Sequence, residues 1–352
     1  MKRVLNAIPV ETRRAASPAI GKNVAAFRRA VLGWYDQHRR DLPWRKTRDP
    51  YRIWLSEVML QQTRVAAVLE HYRVFLERFP NVEVLAAASE DAVLAAWSGL
   101  GYYRRARMLH RCARQIASQH GGFPRDSEAL LALPGIGRYT AAAIASIAFS
   151  EPVAVVDGNV ERVLQRLIGI NLTTPQTWQH AQALLANSRP GDFNQGMMEL
   201  GATVCVPRAP HCPMCPVRKW CVTRGEVPRT EPPSRQKKKQ IWCALEWRSN
   251  GGSDGKVRLV QRPRQATLMP GMWELPQSSE PPRRLPTRWR TFRHSITITD
   301  YTVQVLRNAP LRNTPLPGAP AATKGTWIAI DRIPRIPITG LTRKILKASG
   351  II

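Results

Sequence analysis

Leu133-Pro134-Gly135-Ile136-Gly137-Arg138-Tyr139-Thr140-Ala141 is the stretch on which the fold turns. Pro134 ends one helix, because it lacks a backbone N–H and its ring clashes with the preceding turn. Gly135 and Gly137 permit a tight turn at positive φ and the close approach of another backbone. A second helix begins at once, and its first N–H groups have no partner inside the helix. Those groups, at the positive end of the helix dipole, suit a phosphate oxygen. Helix, glycine hairpin and helix form a grip for one nucleic-acid strand, with Gly135, Gly137 and Arg138 as its contacts. The alternative is an ordinary helix–helix turn.

Charge favours the grip. Lys and Arg number 53 against 25 acidic residues, a net +28 over 352 residues. The excess runs along the whole chain: 35 basic against 19 acidic up to Gln240, and 18 against 6 beyond it. Arg outnumbers Lys 42 to 11, and a guanidinium binds phosphate through paired hydrogen bonds. Such a field attracts nucleic acid. Hydrophobic residues make up 43% of the chain, enough for a sizeable core, which argues against a disordered or tail-like basic protein. No apolar run is long enough to span a membrane. Met1–Ile20 is basic and lacks the apolar centre of a signal peptide, so a cytoplasmic location is expected.

Around the hairpin the pattern is helical. Residues 1–21 read as a polar basic arm. Residues 22–204 read as helix after helix, with Val24, Phe27, Val31 and Trp34 at helical spacing, and then Val65, Val68, Leu69, Tyr72, Phe75 and Leu76. Residues 205–221 hold four cysteines. Residues 222–240, with Pro228, Pro232, Pro233 and the Lys237–Lys239 run, read as a linker. From Ile241 the period changes to two: Ile241, Cys243, Leu245 and Trp247, then Val257 and Leu259, then Ser295–Leu306 as a strand. Asn250-Gly251-Gly252 fits a hairpin turn, and a helix is expected near Leu341–Ala348. The fold class is therefore multidomain, an all-helical domain followed by an α+β domain over residues 241–352.

Cys205, Cys212, Cys215 and Cys221 follow C-x6-C-x2-C-x5-C. Four thiolates this close can hold zinc or an iron–sulfur cluster. One tight pair and two looser arms suit a larger cluster better than zinc, and neither is excluded by spacing alone. Arg208, Arg218 and Lys219 lie in and beside the loops, within reach of phosphate.

Two carboxylates sit in apolar surroundings. Glu57 lies in Ile53-Trp54-Leu55-Ser56-Glu57-Val58-Met59-Leu60, a helix apolar nearly all round. Burial raises the pKa of a carboxyl group, and a raised acid can donate a proton near neutral pH. A structural acid bonded to backbone or Arg is the alternative. Asp157 precedes the helix Gly158–Leu167 and reads as its N-cap; ionised there, it could also stabilise a developing cation. One neutral acid and one carboxylate are what cleavage of a glycosidic bond requires. A second glycine turn, Gly99-Leu100-Gly101-Tyr102-Tyr103, could present rings to a base stack or place them in a core.

With these residues in view, the chain resembles the MutY-type adenine DNA glycosylases of the helix-hairpin-helix (endonuclease III) superfamily. Leu42-Pro43-Trp44-Arg45, Trp54-Leu55-Ser56-Glu57-Val58-Met59-Leu60-Gln61-Gln62-Thr63, Gly99–Tyr103, the hairpin, Val156-Asp157-Gly158-Asn159-Val160 and the cysteine pattern carry the likeness, which extends over nearly all of residues 22–352. It implies that Glu57 protonates N7 of adenine, that Asp157 stabilises the sugar cation, and that Asn159 and Tyr139 complete the pocket. It implies that Gln62 and Tyr102 wedge into the stack, that Trp44 and Arg45 contact the DNA, and that the four cysteines hold a [4Fe–4S] cluster. The implied partner is double-stranded DNA bearing adenine opposite 8-oxoguanine or guanine, with the adenine flipped out for chemistry. A monomer is expected, since such a target lacks two-fold symmetry.

Position 139 separates members of the superfamily. Endonuclease III-like enzymes carry Lys there and cut the strand through a Schiff base, which a Tyr cannot form; base removal without lyase activity is therefore expected. A tyrosine also occurs in mismatch thymine glycosylases. Residues 257–263 and Gly271-Met272-Trp273-Glu274-Leu275-Pro276 resemble a MutT-like (Nudix-fold) domain without the clustered acidic helix of a pyrophosphatase, which implies lesion recognition and not hydrolysis. The family's Phe-Ser-His loop is altered: Ile296-Thr297-Ile298 keeps only a hydroxyl, at Thr297, as the expected contact to the opposite base.

Overall fold

The computed structural model describes residues 18–21, 23–120, 122–225, 237–248, 255–282, 288–296, 299–307 and 325–352. In chain order its helices are α1 (Pro18–Gly21), α2 (Val24–His38), α3 (Pro50–Leu60), α4 (Val65–Arg78), α5 (Val82–Ala87), α6 (Glu90–Ala96), α7 (Arg104–Gln115), α8 (Ser127–Leu131), α9 (Arg138–Ala148), α10 (Gly158–Ile168), α11 (Thr174–Leu184), α12 (Pro190–Thr203) and α13 (Gly340–Ala348). The strands are β1 (Lys237–Leu245), β2 (Trp247–Arg248), β3 (Lys256–Gln261), β4 (Trp273–Glu274), β5 (Gln277–Ser278), β6 (Arg288–Ile296), β7 (Thr299–Arg307) and β8 (Thr326–Ala329). They gather into two units interleaved in sequence: residues 1–61 with 115–230, and residues 62–114 with 231–352.

In the first unit, Phe27 and Val31 of α2, Val160 and Leu164 of α10, and Met197 and Leu200 of α12 share one buried cluster with Trp220. Small residues let the helices approach closely. A Cβ on Gly191 would meet the Ser146 carbonyl oxygen at 2.7 Å, and α9 is largely alanine on its buried faces. This close packing holds α3, α9, α10 and α12 against one another, and they supply the chemistry described below.

In the second unit, Phe75 meets Trp97 edge to face at 6.0 Å. One of its two four-stranded sheets has the order β5-β1-β7-β6, with β1 parallel to β7 from Lys237↔Thr299 to Leu245↔Arg307. The second sheet runs β2-β3-β4, with β8 also on β3. Val257, Leu259, Val303 and Val305 face a core shared with Ile345 and Leu346 of α13. Ser98 Oγ and Tyr103 Oη both donate to the Ile338 carbonyl, at 2.8 and 3.1 Å, and Arg343 Nε donates to Ser98 Oγ at 2.9 Å.

The described part of residues 22–204 is helical and contains no strand, and the closing helix lies where expected. Three details differ. Within the expected arm, Pro18–Gly21 form α1, and Ile20 is fully buried in the first core. The run Lys237–Gln240, read as linker, starts β1: its pairing partners are Thr299–Thr302, far away in sequence, so no local pattern reveals it. Ser295–Leu306, read as one strand, is the end of β6 and most of β7, paired antiparallel. Thr297 and the Asn250-Gly251-Gly252 turn lie outside the described residues, although β2 and β3 on either side of that turn pair antiparallel.

Candidate active site

Glu57 stands on α3, whose start is fixed by Pro50 and by Asp49 capping the Tyr51 N–H at 2.9 Å. Seven other residues of this helix are buried, and Glu57 is 6% exposed. Burial pushes its carboxyl group up to about 7; the Asp157 charge adds to the rise, while a hydrogen bond from Tyr139 and the Arg45 charge oppose it. Tyr139 is the second residue of α9, and its hydroxyl donates to Glu57 Oε2 at 2.6 Å. Burial, then the Glu57 and Asp157 charges, raise the Tyr139 phenol well above its ordinary value, so it stays a neutral donor.

Asp157 is the N-cap of α10, as expected. Its Oδ1 accepts from the N–H groups of Asn159 and Val160 at 2.9 and 2.8 Å, and its Oδ2 accepts from Asn159 Nδ2 at 2.8 Å. Asn159 is oriented in turn by Arg162, which donates to Asn159 Oδ1 at 2.8 Å, to the Gly201 carbonyl at 2.7 Å and to the Cys205 carbonyl at 2.9 Å. Arg162 thus links the first cysteine of the loop to the carboxylate.

Trp44 is buried in the short turn Pro43–Arg45. Arg45 points at Glu199, donating to its Oε2 at 2.7 Å, and Arg40 grips the same carboxylate at 2.8 and 2.6 Å. Burial works to raise the Glu199 acid, but the hydrogen bonds from Arg40 and Arg45 outweigh it and hold the group at about 2. Glu199, Arg40 and Arg162 are functional-site residues that the sequence reading did not single out. Glu199 carries the signal that marked Glu57, an acid amid apolar and small residues in Met197-Met198-Glu199-Leu200-Gly201.

At the hairpin, Gly135 has φ +77° as expected, whereas Gly137, the N-cap of α9, has φ −92°, open to any residue, and no side chain caps the first N–H groups of α9. Both glycines are exposed, and the Arg138 guanidinium lies 3.9 Å from the centre of the Trp178 ring. Gln62 and Tyr102 belong to the second unit. Each is exposed, and each adopts the left-handed region, with φ +56° and +48°. Tyr103, by contrast, is 4% exposed and is a core residue.

The four loop cysteines face one another electrostatically. Burial pushes the Cys215 thiol up to about 11, and the Cys205, Cys221 and Cys212 thiols add to the rise. Arg166 donates to Cys205 Sγ at 3.3 Å, and Cys221 Sγ donates to the Arg166 carbonyl at 3.3 Å. Among the described residues no three His, Cys, Asp or Glu are grouped as a single metal ion requires. Four cysteine sulfurs within electrostatic reach of one another are a donor set whose chemistry suits an iron–sulfur cluster or zinc. Cys112 and Cys243 are buried elsewhere, and desolvation raises both thiols. Among the described residues no helix is long and apolar enough to cross a membrane.

The pattern of the HhH-GPD superfamily base excision DNA repair proteins matches residues 55–187. The chain is 40% identical over 326 residues to the adenine DNA glycosylase of Homo sapiens, covering 74% of this chain and 59% of that one. It is 35% identical over 232 residues to the adenine DNA glycosylase of Buchnera aphidicola subsp. Schizaphis graminum, covering 64% of this chain and 67% of that one. Among solved structures, a thermostable thymine-DNA glycosylase is 33% identical with a TM-score of 0.55, over 58% of this chain and 98% of that one. The chain spans less than two thirds of the human relative's length.

Proposed function

The chain belongs to the HhH-GPD superfamily of base excision DNA repair proteins, within the family of the adenine DNA glycosylases, and we propose that it hydrolyses the N-glycosidic bond of adenine mispaired with 8-oxoguanine or guanine. One observation carries this reading: Glu57 is a buried acid held near neutrality, hydrogen-bonded to Tyr139, with the Asp157 carboxylate in electrostatic reach. Glu57 gives its proton to N7 of the flipped adenine, which turns the base into a leaving group. Positive charge then develops on the sugar. The Asp157 carboxylate, fixed by Asn159 and by two backbone N–H groups, stabilises it until water adds. Tyr139 shapes the pocket and offers no amine, so the strand stays intact. Arg45, held by Glu199, also brings its charge within reach of Glu57.

Outside the pocket, Gly135, Gly137 and Arg138 hold the phosphate backbone, and Gln62 and Tyr102 wedge into the base stack. We assign base excision to a glycosylase region over residues 22–204, cluster binding to residues 205–221, and reading of the opposite base, with Thr297 as its contact, to a Nudix-like region over 241–352, although by contacts residues 62–114 group with residues 231–352. Cys205, Cys212, Cys215 and Cys221 would hold a [4Fe–4S] cluster, whose service is to pin this loop. The enzyme acts as a cytoplasmic monomer on duplex DNA.

A second reading, mismatch thymine excision, is favoured by the likeness to the thymine-DNA glycosylase structure together with Tyr139. Single-turnover excision separates the two. Labelled duplexes with adenine opposite 8-oxoguanine, adenine opposite guanine, thymine opposite guanine, and thymine glycol are each treated with and without alkali. Adenine release that needs alkali to nick the strand is the expected result. Thymine release, or nicking without alkali, would overturn the assignment.

A further inference from the structure

We infer that Arg105 is a positioning residue that sets Gln62 and Tyr102 in register with each other as one wedge. This rests on the reading of those two residues as the groups that enter the base stack. Gln62 and Tyr102 come from different loops, before α4 and before α7, yet both adopt a backbone conformation that non-glycine residues rarely take. Such conformations persist only where surrounding structure holds them, and they cluster at functional sites.

Arg105 supplies a hold common to both loops. Its Nη2 donates to Thr63 Oγ1, the residue after Gln62, at 3.1 Å. The same nitrogen donates to the carbonyls of Leu100 and Gly101, the two residues before Tyr102, at 3.3 Å each. The guanidinium lies 5.5 Å from the centre of the Tyr102 ring and 5.4 Å from that of Trp97. The backbone closes the arrangement, with the Arg105 N–H donating to the Tyr102 carbonyl at 2.9 Å.

The chemistry calls for arginine. A planar guanidinium can place its face on aromatic rings while its edge bonds carbonyl and hydroxyl oxygens; an ammonium offers a point charge and no face. Burial lowers the Arg105 group to about 10, so it remains cationic at neutral pH. The exposed wedge side chains are thus left free to meet DNA, while the backbone beneath them is held from behind.

The test uses the full chain and a duplex carrying adenine opposite 8-oxoguanine, with 2-aminopurine beside the adenine. The fluorescence rise reports unstacking. Misplacing a positioned group by about 1 Å can slow an enzyme by about a hundredfold, so Arg105→Met is expected to slow the rise by at least about tenfold. Thermal melting should be unchanged, and Arg105→Lys should restore only part of the rate. In Gln62→Ala and Tyr102→Ala backgrounds, Arg105→Met should add nothing further.

Wild-type unstacking by Arg105→Met, or full additivity in the double variants, would overturn the inference. So would a lowered melting temperature in Arg105→Met combined with wild-type unstacking by Arg105→Lys. If Gln62→Ala and Tyr102→Ala unstack normally, the wedge reading fails and this inference with it. If they are slow while Arg105→Met is not, this inference alone fails.

Discussion

The Tyr139 hydroxyl donates to Glu57 Oε2 across 2.6 Å, joining residues 82 positions apart. A donor at that oxygen favours the carboxylate, while burial favours the acid, and burial wins: the group rests at about 7. The proton is therefore held, but loosely enough to be given away.

With the acid form of Glu57 as the proposed proton donor, excision should fall as pH rises through about 7. Tyr139→Phe removes a bond that stabilises the charged form, so the alkaline limb should move to higher pH while the plateau rate drops. Single-turnover rates from pH 5 to 9 check this. A limb that stays in place or moves down would contradict the assigned donor.

Glu57 also couples stability to pH. Its folded pKa lies above the ordinary 4.5, so the folded state holds the proton more tightly, and this contribution is complete below pH 4.5 and lost as pH rises through 7. Glu57→Gln should be inactive yet more stable than wild type at pH 8, by about 3 kcal/mol, with the advantage fading towards pH 4. Urea unfolding at both pH values measures it, and equal stability at pH 8 would contradict the burial.

Glu199 has the opposite sign. Arg40 and Arg45 hold it at about 2, below its ordinary value, so its contribution is present above pH 4.5 and lost as pH falls towards 2. Glu199→Gln leaves Arg45, 10% exposed at its side chain, without its counter-charge. A loss of about 2–3 kcal/mol at pH 7 is expected, below the full value for a wholly buried pair because Arg40 is partly solvated.

A Cβ on Gly201 would sit 2.6 Å from Asn159 Cβ and 2.9 Å from the Asn159 carbonyl oxygen. Gly201→Ala should displace Asn159 and with it the Asp157 cap, lowering stability by about 1–3 kcal/mol and excision by more than about tenfold. Gly33→Ala, in α2 with open space at its Cβ, is the control and should stabilise by up to about 1 kcal/mol.

Replacing Cys205, Cys212, Cys215 or Cys221 by Ser should each reduce bound iron and acid-labile sulfide, whereas Cys112→Ala should leave both at the wild-type level. Zinc in place of iron in the purified protein would contradict the cluster assignment.

Much of the site could be read in the sequence because its signals are local. Asp157 precedes a helix it caps, Gly135 and Gly137 break one helix and open another, and Glu57 interrupts an apolar helix. The partners of these groups are another matter. Arg45 reaches Glu199 across 154 positions, and Tyr139 reaches Glu57 across 82; such pairs exist only once α3, α9 and α12 have packed. The strand role of Lys237–Lys239 was hidden for the same reason, since three lysines resemble a solvated linker until Thr299–Tyr301 lies beside them. Tyr102 and Tyr103 look alike in sequence, and only the fold places one in solvent and the other on the Ile338 carbonyl.

The Ile338 carbonyl, accepting from both Ser98 and Tyr103, has a genetic consequence. Helices α4–α7 and the C-terminal strands belong to one compact unit although far apart in the gene. A nonsense allele that stops anywhere from residue 231 to 337 would remove that acceptor and leave two buried donors in the early part of the protein. Its phenotype would not be that of an enzyme short of one recognition module. It would be that of a chain whose middle helices also carry two buried hydroxyls without their acceptor, and so a loss of stability as well as of the missing strands.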